Sequence, residues 1–549
     1  ARHFDLAGLP DKAVPYMRQA GRQAAAKYAN VEALDHYRRA LELLPETAVE
    51  DRYEVLLAVA ELHDRRSDRE SHSDDVIALT EVAEKLGDPL KLAVAHYHRA
   101  QHETNMTNAD AAIDFARRAA EIAAPLDDDG GVEGRARIVL GRALMIKTDY
   151  EAAKVELQRG LVLSRLAGNK SGEGLALSNL GIMSDITGQA AAARSYFEQA
   201  LEVHEAAGNR HATVRASMNL AVCYWRAGEL DDARRLLEEA VSRSRELGAL
   251  STEGTATSNL AMVIKDQGDL DLAREYTEQA IEINREHNGP YAVARTLGIL
   301  ASIHMMRFDY TAARAAQQEA RELDESVNDS QDLVFRLSGL GQIAYVFGQY
   351  EKAEGLLQQA LDLSREIHER YAEAYVHMEL SALRLAQGDA QRALESAQEA
   401  LKAAIDVESP LNVDIARILV GNAHLALGDL DAAAAAYQEV AGGQNHRFAV
   451  AMGLADVALA RGDKGTALDL VAPHLDAAID GSLTDDADPV RSYLTMYSVL
   501  RSVQDARAHG VLSAGRALVT RIADKIDDPE ARTSFDARAD VRRLMGGGG

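Results

Sequence analysis

Three histidines, His96, His98 and His102, stand close together, and His98 and His102 are spaced to share one face of a helix. Two imidazoles one turn apart could begin a metal site, but a site needs further ligands. Packing or solvent exposure explains these residues more simply, so no metal is expected. The sequence contains no G-x-x-x-x-G-K-[ST] loop, no H-E-x-x-H pair and no G-x-S-x-G elbow. Gly462-Asp463-Lys464-Gly465-Thr466 reads as a turn between helices, and the Arg461-Gly462-Asp463 tripeptide at the same turn is coincidental. Paired carboxylates abound, yet in so acidic a helical chain they read as solvated faces and not as general acid–base pairs. Cys223 lies mid-helix and reads as a small buried residue. The expectation is a chain with no catalytic residues and no cofactor: not an enzyme.

Composition points the same way. Of 549 residues, 47% are apolar, enough for a large core, while aromatics are only 5%, with one Trp and ten Pro. An Ala/Leu/Glu/Arg-rich chain poor in β-branched and aromatic residues favours helices over strands. One Cys excludes a disulfide framework. Sixty Lys and Arg against 86 Asp and Glu leave a net charge of −26. Such a charge speaks against nucleic acid and against anionic membranes as partners. Charged residues interrupt every Ala/Leu stretch, so no membrane span is expected, and neither is a signal segment. A cytoplasmic location follows as an expectation.

The elements that would carry any site are repeated. Gly188-Gln189, Gly228-Glu229, Gly268-Asp269, Gly348-Gln349, Gly388-Asp389 and Gly428-Asp429 recur every 40 residues, with Phe308-Asp309 filling the remaining slot. Ala193 to Ala433 and Ala200 to Ala400 keep the same period, and so does the series Leu180-Gly181 to Leu380-Ser381. Each unit reads as two amphipathic helices. In one copy the first runs from about Glu173 to Thr187 and the second from about Ala190 to Ala206. Small residues at Gly181, Ala193 and Ala200 let the pair approach closely. Periods of this length signal a solenoid and not separate globular domains.

Leu180-Gly181, Gly188, Ala193, Phe197 and Ala200 resemble, offset for offset, the tetratricopeptide (TPR) repeat; the usual period is 34, and the longer 40 is similar to the arrays of kinesin light chains. The resemblance implies an all-α, α-α superhelix of about twelve helix–turn–helix units over residues 11–480. The expected division is 1–130 for less regular repeats, 131–445 for regular 40-residue repeats and 446–480 for a terminal 34-residue repeat. A helical cap over 481–545 and a glycine tail at 546–549 complete it. The N-terminal stretch, with Ala1-Arg2-His3-Phe4-Asp5, Ala20-Gly21 and Tyr28-Ala29-Asn30, resembles the start of the TPR region in large bacterial signal-transduction (STAND-type) ATPases and transcriptional regulators. Ile526 to Phe535 is similar to their C-terminal ends. That likeness implies a sensor or regulatory arm for upstream ATPase or effector domains in the same polypeptide.

In TPR arrays the first helices line a concave groove. Carried over position by position, the resemblance places Arg135, Arg142, Arg215, Met218, Trp225, Arg226, Met262, Arg295, Met305, Phe335, Tyr345 and Tyr375 there. The full groove set holds six basic residues against two acidic ones, the only Trp and six of twelve Met. Arginine and aromatic residues dominate binding hot spots, and methionine suits adaptable apolar contacts. The expected partner is a protein or peptide, acidic with apolar side chains. Asn179, Asn219 and Asn259 form a ladder that either grips an extended backbone or links neighbouring repeats. Packing of these groove residues on the next repeat remains the competing reading, and a small-molecule sensor or an oligomerisation scaffold are the alternative functions.

Overall fold

In the computed structural model, which describes residues 2–26, 29–66, 70–126, 131–440, 446–483 and 488–546, every regular element is a helix. Tyr28, the expected boundaries at 130 and 445, and glycines 547–549 lie outside the described residues. The helices advance on a half-period of 20 residues: Lys170–Ile186, Ala190–Ala206, Arg210–Arg226 and Leu230–Leu247 follow one another. The turns explain the dipeptides of the repeat. Gly188 and Gly228 take φ of +74° and +78°, the left-handed conformation that ends a helix and that side chains enter only with strain. Where the residue after the glycine is aspartate, its side chain caps the next helix. Asp269 accepts a hydrogen bond from the Leu272 amide at 3.1 Å and Asp429 from the Ala432 amide at 3.2 Å, satisfying donors that a helix start leaves open. The same capping corrects one boundary. The first helix expected from about Glu173 begins at Lys170, because Asn169 accepts from the Gly172 amide at 3.0 Å.

The chain forms two compact units, Ala1–Leu247 and Gly248–Gly549. Within each, glycine on the first helix seats a large side chain sixteen residues later on the second. Gly21 faces Tyr37, Gly141 faces Leu157 and Gly181 faces Phe197 in unit one; Gly341 faces Leu357 and Gly421 faces Tyr437 in unit two. A Cβ on Gly181 would lie 2.6 Å from the Phe197 ring, closer than real contacts allow. First helices also pack on the first helix of the next repeat, as Gly131–Ile146 does on Lys170–Ile186 and Ser330–Val346 does on Arg370–Ala386. Among the described residues, second helices lack a comparable contact with each other. The first helices therefore occupy the inner side of each stack.

The C-terminal segment is more than an end cap. Pro489–Ser502 covers both helices of the last repeat, Arg447–Ala460 and Lys464–Val471. The helices that follow return to repeats far earlier in unit two. Thr311 Oγ1 donates to the Lys525 carbonyl at 2.7 Å, Arg314 pairs with Asp527 at 3.2 Å, and Arg538 Nη1 donates to the Val346 carbonyl at 2.8 Å. Tyr310, Ile343 and Phe347 share one core with Phe535, Val541 and Leu544. The same region also meets the irregular slot of the repeat. Phe308 holds φ +55° where other copies have glycine, and its ring lies under the Arg521 guanidinium at 5.4 Å.

Candidate functional site

Unit one presents its inner face on three successive first helices, Gly131–Ile146, Lys170–Ile186 and Arg210–Arg226. Arg135 is half-buried and stacks over the Tyr97 ring at 5.0 Å. Arg142 and Trp225 are half-buried, and Met218 is buried. Arg226, exposed, is held by Asp185 of the preceding repeat at 2.5 Å. A surface pair of this kind is worth about 0–1 kcal/mol, so an incoming carboxylate could displace Asp185. Arg215 differs: it is exposed, and no carboxylate pairs with it among the described residues.

The asparagine ladder divides. Asn179 is buried, and its amide donates to the Leu175 carbonyl of its own helix at 2.7 Å, so this rung is occupied internally. Asn219, also in unit one, is half-buried and has no hydrogen-bond partner among the described residues. In unit two, Asn259 on Leu250–Asp266 is likewise half-buried and without a partner among them. An open side-chain amide offers both a donor and an acceptor, which is what an extended backbone requires.

Unit two places its other predicted residues on an aromatic face. Met262 is half-buried, and Arg295 is exposed with its guanidinium 5.9 Å from the Tyr291 ring. Phe335 lies 5.9 Å from Tyr375 and 6.3 Å from Tyr371, ring centre to ring centre. One predicted residue is covered by the chain's own C-terminal region, the Arg538 guanidinium sitting 5.5 Å from the Tyr345 ring, while Met305 packs against the core that the repeats share with that region. A C-terminal segment acting purely as an end cap would have left Tyr345 open, and nothing in the repeat pattern signals its return.

Sequence reasoning missed Glu379. It stands half-buried on Arg370–Ala386, one turn after Tyr375, and accepts a hydrogen bond from Gln342 of the preceding first helix at 3.2 Å. Burial pushes its carboxyl up to about 7. The available signal was register, because Glu379 occupies the position that Asn179, Asn219 and Asn259 hold in earlier repeats.

Two further clusters of titratable groups are closed. Asp324, Asp329 and Asp332 approach one another, but Arg336 already binds Asp324 at 3.0 Å and reaches Asp332 at 3.5 Å, occupying the place of a cation. His96, His98 and His102 are all buried, and burial pulls His96 below the usual histidine range, as expected of a neutral packing imidazole. Cys223 is half-buried, with its thiol pushed up by desolvation, and is therefore a poor nucleophile. No helix among the described residues is long and apolar enough to cross a membrane.

Paired helices stacked so that the first of each pair lines one side define an α-solenoid, a class of protein that works by presenting that side. The tetratricopeptide repeat signature matches residues 173–246, 252–326 and 333–406 in one form and 380–449 and 418–482 in a second, together more than half of the chain. The chain belongs to the tetratricopeptide repeat family. No curated protein matches it in sequence. Among solved structures it is similar to the apo form of RapI, with 13% identity, a TM-score of 0.50, and coverage of 65% of this chain and 98% of that one. It is also similar to a Rap protein complexed with competence and sporulation factor, with 14% identity, a TM-score of 0.50, and coverage of 64% and 97%. At such identities the likeness is one of fold.

Proposed function

We propose that the chain is a non-catalytic binding array whose inner faces take an extended peptide or protein segment. The open amides of Asn219 in unit one and Asn259 in unit two carry this reading. Asparagine is a poor helix residue, and a half-buried amide with no partner in the protein is left for an incoming backbone, which can replace the water on it. In unit one, Arg215 offers a charge that no described carboxylate consumes, and the half-buried Trp225 stands about 15 Å further along the same helix. That pairing favours a segment with acidic and apolar side chains. The solved Rap protein in complex with a second molecule supports the reading at the level of fold alone. From the resemblance of the two terminal segments, we further propose that the array is the cytoplasmic regulatory arm of a larger bacterial signalling ATPase. An ATPase module encoded in frame ahead of Ala1 would check that part.

The binding test uses the full chain as bait for a synthetic library of N-acetylated octapeptides. Peptides with acidic and apolar residues should be enriched, and Arg215→Glu should weaken them about tenfold, a loss of about 1.4 kcal/mol. Unchanged binding would overturn the assignment to unit one. A thermal-shift screen of metabolites separates the small-molecule alternative, which requires a large shift with a compound and none with peptides.

A further inference from the structure

Two glutamates of one helix are treated differently by the fold. Glu373, near the start of Arg370–Ala386, is bound by Arg365 at 3.0 Å and by Arg370 at 2.6 Å. Six residues later, Glu379 has only the neutral Gln342 amide, and no lysine or arginine pairs with it among the described residues. A carboxylate withdrawn from water without a counter-charge is costly, and at this place an asparagine, like those of earlier repeats, would avoid the cost. The surroundings are those a cation favours. Tyr375 lies one turn before Glu379 on the same helix, Phe335 is 5.9 Å from Tyr375, and Tyr371 closes the cluster 6.3 Å from Phe335. Aromatic faces attract ammonium and guanidinium groups, more strongly where water is partly excluded. All of these side chains except the exposed Tyr371 are half-buried, so they form a partly open face and not a sealed core.

We propose that the inner face of unit two between Ser330–Val346 and Arg370–Ala386 receives a lysine or arginine side chain of a bound peptide, with Glu379 as its counter-charge and Phe335 and Tyr375 as its aromatic wall. Gln342 orients the carboxylate by donating to one oxygen and leaves the other for the cation. The inference rests on the peptide-binding reading and refines it, because this part of unit two selects the charge opposite to the one Arg215 selects in unit one.

The test applies the octapeptide library at pH 8 to the full chain and to Glu379→Gln, a near-isosteric change that keeps a partner for Gln342. Circular dichroism and the melting temperature establish that the variant is folded. The wild type should prefer Lys or Arg about tenfold at one peptide position. The variant should lose that preference while keeping its preferences elsewhere, including the acidic selection that Arg215→Glu removes. Peptides bound without a basic preference, or with one that survives in Glu379→Gln, would overturn the cation site and leave the peptide-binding reading standing. Failure to select any peptide would overturn both. Arginine amide serves as the competitor. Binding as tight as the best peptide would overturn the peptide assignment in favour of a free organic cation.

Discussion

At the scale of single residues, Glu379 is a liability that the fold tolerates. Its carboxyl ordinarily titrates at 4.5 and in the folded chain is pushed up to about 7 by burial. Between those values the folded state holds a proton that the unfolded state has released, so stability falls as pH rises through this window. Above it, the ionised buried group costs roughly 3 kcal/mol, at about 1.4 kcal/mol for each unit of displacement. Glu379→Gln should therefore raise the melting temperature at pH 8 and leave it nearly unchanged at pH 4.5. Equal melting temperatures at pH 8 would mean that the carboxyl is not desolvated. Such a residue was hard to see in the sequence. One acid among 86 Asp and Glu offers no compositional contrast, and the groove positions carried over from the TPR pattern skip its register. Arg215 and the asparagines were legible because a basic residue or a poor helix former stands out against an acidic, helix-favouring background.

At the scale of the element, the paired helices were legible for a physical reason. The turns require a residue tolerant of positive φ followed by a cap, and the helix contact requires glycine or alanine opposite a large side chain, so both leave marks at fixed spacing. The marks fail where another contact takes over, as at Phe308, which accepts φ +55° while its ring meets Arg521. The same logic separates two glycines that look alike in sequence. Gly181→Ala gains about 1 kcal/mol of helix propensity, but its Cβ would stand 2.6 Å from a Phe197 ring that is itself only 3% exposed. Overpacking costs about 1–3 kcal/mol, so the variant should be less stable by as much as about 2 kcal/mol. Gly355→Ala, exposed on Tyr350–Glu366 with nothing within 4 Å of the added carbon, should be more stable by about 0.5–1 kcal/mol. Urea denaturation of the two variants checks the opposite signs. A shared sign would show that the helix pair relaxes around residue 181.

At the scale of the whole molecule, a repeat array stabilises each unit through its neighbours in sequence, and losing one end should loosen that end first. Unit two breaks this rule. Phe535 and Leu544 are fully buried and Val541 nearly so, in the core that holds Tyr310, Ile343 and Phe347. Each such side chain is worth about 1.5–3 kcal/mol of burial, and Arg314 and Arg538 add polar ties to the same repeats. Deleting residues 524–549 should therefore strip amide protection from residues 308–350, followed by hydrogen exchange and mass spectrometry, while Arg370–Ala386 changes less. Loss confined to the last repeat at 447–471 would mean that the segment is an end cap only. The deletion also removes Arg538 from the Tyr345 ring and takes Phe535, Val541 and Leu544 out of the core against which Met305 packs. If the inner face of unit two takes peptide, the truncated chain should gain affinity for peptides with apolar residues, because a surface now filled by its own C-terminal helices becomes available to a ligand.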